Sequence, residues 1–186
     1  MKRILFVLML ITSIVYAQEY VVTPTGLKDN ANVEKTYIVI NTPDKTAEQS
    51  YNNAIKYINK TYKNPEEVIK ADVKNDYLRF NTYVSNFLTV KNSGAKLSID
   101  AKYTVELSFR DNKVKLEVVN LDMYHSSGFK VLFTGGIMSS YPIYKKKKQK
   151  LIRPETKSDI EFYFNNKINT IKGYLLEEAN TTDDDW

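Results

Sequence analysis

Apolar residues fall into two helical stripes separated by a block of strand-like alternation. Ala47, Tyr51, Ala54, Ile55, Ile58 and Tyr62 recur at helical spacing and form one continuous stripe for burial. Thr46 and Gln49 stand where a capping box opens such a helix, and Asn64-Pro65 closes it after about Lys63. Near the other end Ile160, Phe164, Ile168, Ile171 and Leu175 make a second stripe. It predicts a helix from about Ser158 to Glu178, opened by a Ser158/Glu161 capping box.

Between the stripes the period changes from helical to alternating. Lys35 to Asn41 reads as a first strand, before the first helix. Four more follow that helix, at about Glu67 to Val73, Tyr77 to Val90, Ala101 to Arg110 and Lys113 to Met123. Lys74-Asn75-Asp76 and Asp111-Asn112 are tight-turn residues and Asn92-Ser93-Gly94 marks a longer loop, so the four form an antiparallel meander. Closing the turn after Arg110 pairs Phe109 with Val114, Leu107 with Leu116 and Val105 with Val118. The same register sends Thr104, Glu106, Ser108, Arg110, Lys113, Lys115 and Glu117 to the opposite, wet face.

Strand, helix, four strands, helix is an α+β order, with both helices on one face of a curved antiparallel sheet. One domain over residues 35–180 holds it. Residues 18–34 read as an extended lead-in with little structure of their own, because Pro24, Gly26 and Asn30 interrupt any period. The segment 125–157 reads as an irregular loop broken by Gly128, Gly135, Gly136 and Pro142, although it carries Phe129, Val131, Leu132, Phe133, Ile137 and Met138. Residues 181–186 form a frayed acidic tail, since aspartates oppose the dipole at a helix carboxyl end.

The first residues change the compartment. Lys2 and Arg3, an apolar run from Ile4 to Val15, and Val15-Tyr16-Ala17 make the three parts of a cleavable signal peptide over residues 1–17. The run is shorter than the roughly 20 residues of a spanning helix. With no cysteine for a lipid anchor, the expected product is a soluble periplasmic or extracellular protein without disulfides. Loss of Lys2 and Arg3 lowers the formal charge of +5 by two. Much of the remainder lies in Lys145, Lys146, Lys147, Lys148 and Lys150, which read as a solvated loop or as a peripheral contact with anionic lipid.

Thr23-Pro24 with Gly26, Tyr37-Ile38-Val39, Lys45-Thr46 with Tyr51, the run from Ile58 to Val68, and Arg110-Asp111-Asn112-Lys113 form a set of segments. Together they resemble a family of exported bacterial proteins of unknown function with a TATA-binding-protein-like fold. The resemblance covers roughly Tyr20 to Met123. It implies a fold and a compartment, and brings no functional residue.

Candidate chemistry is sparse. One histidine, His125, and no cysteine leave too few ligands for a zinc or iron site. His125 beside Ser126 and Ser127 lacks a nucleophile elbow, and it reads as a loop residue. Glu66-Glu67, Glu177-Glu178 and Asp183-Asp184-Asp185 are sequential acids that diverge, and Gly135-Gly136 lacks the lysine and spacing of a phosphate loop. The expectation is therefore no catalytic, cofactor or metal residue, and a non-catalytic binding or interaction module of the cell envelope. The alternative is a carrier that holds a small amphipathic ligand between the sheet and the last helix. An envelope hydrolase ranks third. Nucleic acid is not expected as a partner, because Glu106 and Glu117 would oppose phosphate from the open sheet face.

Overall fold

The computed structural model describes residues 19–92, 94–135 and 140–178. The expected signal peptide, the acidic tail, and Gly136, Ile137 and Met138 lie outside the described residues.

A seven-stranded sheet forms the centre. Its strands are β3 (Tyr37–Asn41), β4 (Ile69–Val73), β5 (Tyr77–Asn92), β6 (Ala95–Arg110), β7 (Lys113–Tyr124), β8 (Lys130–Thr134) and β9 (Ser140–Tyr144). The spatial order is β4-β5-β6-β7-β8-β9, with β3 paired to the first half of β7. The hairpin register is the expected one: Phe109 faces Val114, Leu107 faces Leu116 and Val105 faces Val118.

Helices α1 (Ala47–Thr61) and α3 (Pro154–Leu176) touch each other and the same sheet face. Tyr51, Ala54, Tyr57 and Ile58 of α1 and Ile160, Phe164, Ile168, Ile171 and Leu175 of α3 are buried there, against Ile38, Ile40, Leu78, Phe80, Leu107 and Leu116. Burying each such aliphatic or aromatic side chain stabilises the fold by ~1.5–3 kcal/mol. Both long helices therefore spend their stripes on this one face.

Several expectations need correction, among them the longer loop at Asn92-Ser93-Gly94, since β6 starts at Ala95 and not at Ala101 and Asn92 pairs with it. The lead-in is a hairpin, β1 (Tyr20–Thr23) with β2 (Gly26–Asp29), which buries Tyr20, Val22 and Leu27. Thr23-Pro24-Thr25-Gly26 is a turn inside structure, with Gly26 at φ 123° doing what a side chain would resist. Its outer edge is sealed by α3: Tyr20 N–H donates to Asn165 Oδ1 at 2.7 Å, Asn165 Nδ2 donates back to Tyr20 C=O at 3.2 Å, and Val22 N–H donates to Glu161 Oε1 at 2.7 Å. Strand-edge groups that would otherwise be orphaned are thereby met.

Pro65 starts a short helix, α2 (Pro65–Val68), so the fourth strand begins only at Ile69. A proline at the first helical position loses no hydrogen bond there. The same device moves the start of α3 upstream to Pro154, with Arg153 as its N-cap and no side-chain cap. The expected Ser158/Glu161 capping box does not form, since Glu161 pairs with Lys157 and the Val22 amide.

The segment 125–157 is less irregular than its glycines suggest, because it contains β8 and β9, which run parallel. Finally, Thr104 projects to the outer face yet is buried, its hydroxyl donating to Asn81 Oδ1 at 2.8 Å. Bulges between Val84 and Leu88 and between Lys102 and Thr104 bend the sheet around it. Asn86 at φ 53° and Asn120 at φ 55° lie in or beside these bulges, in a conformation asparagine tolerates better than most residues.

Candidate functional site

The face left bare by the helices can be read row by row from the strand register. One row is Arg79, Glu106, Glu117 and Tyr37, on β5, β6, β7 and β3. The next is Tyr77, Ser108, Lys115 and Val39, and the last, at the turn, is Arg110, Lys113 and Asn41. Glu106 and Glu117 thus stand directly opposite each other, an arrangement that repels unless cations intervene. They do: Arg79 Nε lies 3.5 Å from Glu106, and Lys115 Nζ lies 3.4 Å from Glu117. Burial and the Glu106 carboxylate together push the Tyr77 phenol up.

Lys115 also lies over the Tyr37 ring, 5.2 Å from its centre, with Lys35 at 5.8 Å. Farther along the same face Lys102 sits between Tyr83 and Tyr124, 5.9 and 5.4 Å from their rings. Tyr83 donates its hydroxyl to Asp100 at 2.8 Å. The Asn86 amide and that hydroxyl hold the Asp100 carboxyl below the usual range.

The last row differs from the others in setting two cations side by side with no acid. Arg110 and Lys113 are cross-strand neighbours, both exposed, and among the described residues neither has an ion pair or a side-chain hydrogen bond. With Tyr37, Val39, Ser108 and Lys115 they line an open cleft of about 390 Å³.

The carboxylate nearest in sequence, Asp111, is turned away. Its Oδ1 accepts the Ala47 N–H at the start of α1, at 2.9 Å. Asn112 follows at φ 64°, accepts the Asp44 N–H through its side chain at 3.0 Å, and donates its own N–H to Lys45 C=O at 2.8 Å. The Thr46/Gln49 capping box forms as expected and completes this end. Helix α1 therefore takes the negative charge of the turn and leaves its two cations facing the cleft. Two segments that carry the family resemblance, Lys45-Thr46 and Arg110 to Lys113, meet at this joint.

Two solved structures resemble the chain along most of its length. A TBP-like protein from Parabacteroides distasonis shares 12% identity at a TM-score of 0.51, over 77% of this chain and 92% of the other. The fold is TBP-like. A DUF4468 family protein from Bacteroides ovatus shares 12% identity at a TM-score of 0.50, over 78% of this chain and 87% of the other. No family model matches the chain, and no curated protein matches it. At such identity the likeness carries the TBP-like fold and no activity.

The remaining sequence candidates are scattered over the TBP-like framework. His125 Nδ1 and Ser127 Oγ are 2.8 Å apart, closer than their spacing suggests. The contact is local, since the Ser127 N–H also points at Nδ1 and Ser127 is exposed. Glu177 pairs with Lys56 at 2.8 Å and joins the two helices, while Glu66 and Glu67 lie in α2. Lys145, Lys146, Lys147, Lys148 and Lys150 form an exposed turn after β9, closed by the Lys145 N–H on Lys150 C=O at 2.9 Å. Among the described residues no helix is long and apolar enough to cross a membrane, and no three His, Cys, Asp or Glu side chains could hold a metal. The cation pair at the turn was missed because Arg110 and Lys113 look like ordinary surface cations until the destination of Asp111 is known.

Proposed function

We propose that the chain is an exported, non-catalytic binding module of the cell envelope, and that the open sheet face receives an anionic group of its partner at Arg110, Lys113 and Lys115. The observation that carries this reading is the row at the turn, where Arg110 and Lys113 stand side by side without an acid. Two adjacent, unneutralised cations raise the potential of a cleft that an incoming carboxylate or phosphate lowers. Ser108 and Tyr37 add hydroxyl groups to the same cleft. Export through residues 1–17 fits this reading, because cleavage after Ala17 leaves every described element intact.

The test is capture of partners from envelope extracts by the chain lacking residues 1–17, compared with the double variant Arg110→Glu, Lys113→Glu. The expected result is that a captured partner is released by raised salt and lost with the double variant. It is retained when Lys145, Lys146, Lys147, Lys148 and Lys150 are changed to Gln. Capture that depends on the five-lysine turn and ignores the double variant would instead make that turn the contact, as peripheral attachment to an anionic surface requires.

A further inference from the structure

A second cleft lies on the opposite, helix-bearing side of the sheet and has different chemistry. It is an open space of about 520 Å³ between α3 and the bulged part of β5, and Phe87, Leu88, Asp159, Phe162, Tyr163 and Lys167 line it. That size falls within the ~300–1,000 Å³ of small-molecule sites. Three aromatic rings and Leu88 form its apolar side, and Asn166 and Thr170 complete the wall. Phe87 packs edge-on against Tyr163 with ring centres 4.7 Å apart, and Phe162 is 71% exposed beside them. The Tyr163 hydroxyl is occupied by Tyr103, at 2.8 Å, so this ring offers carbon to the cleft rather than a free donor.

Lys167 is the cation of this wall, and among the described residues it has no ion pair. Its ammonium sits 5.4 Å from the centre of the Tyr57 ring and 5.7 Å from that of Tyr62, and among the described residues no carboxylate or carbonyl meets it. Three half-buried lysines elsewhere are neutralised, Lys157 by Glu161, Lys115 by Glu117 and Lys56 by Glu177. Burial pulls the Lys167 amine down from its ordinary pKa, as expected for a charge removed from water without an acid to offset the loss. A cation held in this way gains most from an anion that arrives with its own apolar body.

From the pairing of an unneutralised Lys167 with an aromatic cleft, we infer a binding site for an amphipathic monoanion, a long-chain carboxylate whose head meets Lys167 and whose tail lies over Phe87, Leu88 and Phe162. Asp159 fixes the polarity. It stands eight positions before Lys167 on α3, which at ~1.5 Å rise per residue places it about 12 Å along the helix. A second anionic group at that end is repelled, whereas a hydrocarbon end is indifferent. This site is independent of the proposed sheet-face contact and stands or falls without it.

The experiment titrates the chain lacking residues 1–17 with dodecanoate below its micelle concentration, by calorimetry, with dodecyltrimethylammonium and acetate as controls. Saturable binding of dodecanoate, with at least tenfold weaker binding of both controls, is expected. Lys167→Met keeps the aliphatic stem on the tyrosine rings and removes the charge, so it is expected to weaken dodecanoate at least tenfold. Arg110→Glu with Lys113→Glu is expected to leave it unchanged. A second readout needs no variant: dodecanoate should shift the resonances of Phe87, Phe162, Tyr163 and Lys167 and leave those of Arg110 and Lys113 in place. Equal affinity for the cationic detergent, an undiminished Lys167→Met, or shifts confined to Arg110 and Lys113 would each overturn the inference.

Discussion

The Asp111 carboxylate and the Ala47 amide, 2.9 Å apart, join the tip of the central hairpin to the first turn of α1. A helix leaves its first amides without partners, and negative charge is favoured at that end. Asp111 serves both needs from a different element. Asp111→Ala is expected to lower stability by about 1 kcal/mol, read as a fall in the urea midpoint with an unchanged slope. Asp111→Asn should recover part of that loss, because its amide oxygen still accepts. An unshifted midpoint for Asp111→Ala would show that the joint contributes nothing.

Tyr20 makes a comparable joint on the other side of the core. Its ring is buried and its phenol donates to Leu116 C=O and accepts the Val118 N–H, each at 3.2 Å. The β3 pairing of β7 ends at Glu117 and the β8 pairing starts at Met123, so the phenol meets the Val118 amide just past the end of β3. Tyr20→Phe keeps the ring and leaves the Val118 amide unmet. Its expected cost is ~1–3 kcal/mol, measured by thermal or urea unfolding.

Asn165 tests whether the first hairpin is part of the domain. Its side chain both accepts from and donates to the Tyr20 backbone. Asn165→Leu should raise amide exchange in residues 20–29 far more than in β5 or β6, because the docking of β1 on α3 is lost while the main sheet is untouched. Uniform exchange changes would mean that the hairpin is not separately held by α3.

High pH should unfold the chain through its tyrosines. Burial pushes Tyr20, Tyr57, Tyr62, Tyr103 and Tyr163 upward, and burial with the Asp72 carboxylate pushes Tyr51 up to about 12. A phenol with a raised folded-state pKa favours folding fully below its unfolded value of about 10, and that contribution is lost as pH rises through the folded value. The urea midpoint should therefore be insensitive to tyrosine ionisation below about pH 10 and decline above it. Phenolate absorbance should rise together with the loss of near-ultraviolet dichroism. Titration of all these phenols near their ordinary value in a chain that stays folded would contradict the burial described here.

Periodicity made the central part of the fold legible. The α1 stripe and the pairing of Leu107 with Leu116 follow from local spacing, because a slip of one residue would turn every apolar side chain outward. What periodicity could not show depends on partners distant in sequence. Tyr20 to Thr23 is too short to announce itself as a strand, and it is stable because Asn165 and Glu161 seal its edge. Strands β8 and β9 lie among glycines and pair in parallel, a geometry that no hairpin turn signals. Glu161 suits a capping box in sequence, yet Pro154 had already begun the helix. The open face was legible as polar, whereas its cation pair at the turn depends on Asp111 reaching Ala47 across the fold.

The central claim is that a partner of this TBP-like chain occupies the bare sheet face. Lysine acetylation of the chain lacking residues 1–17, alone and in envelope extract, tests it at individual side chains. The account predicts that Lys113 and Lys115 lose reactivity in the extract while Lys145, Lys146, Lys147, Lys148 and Lys150 keep theirs. Unchanged reactivity at Lys113 and Lys115, with protection confined to the turn after β9, would contradict it.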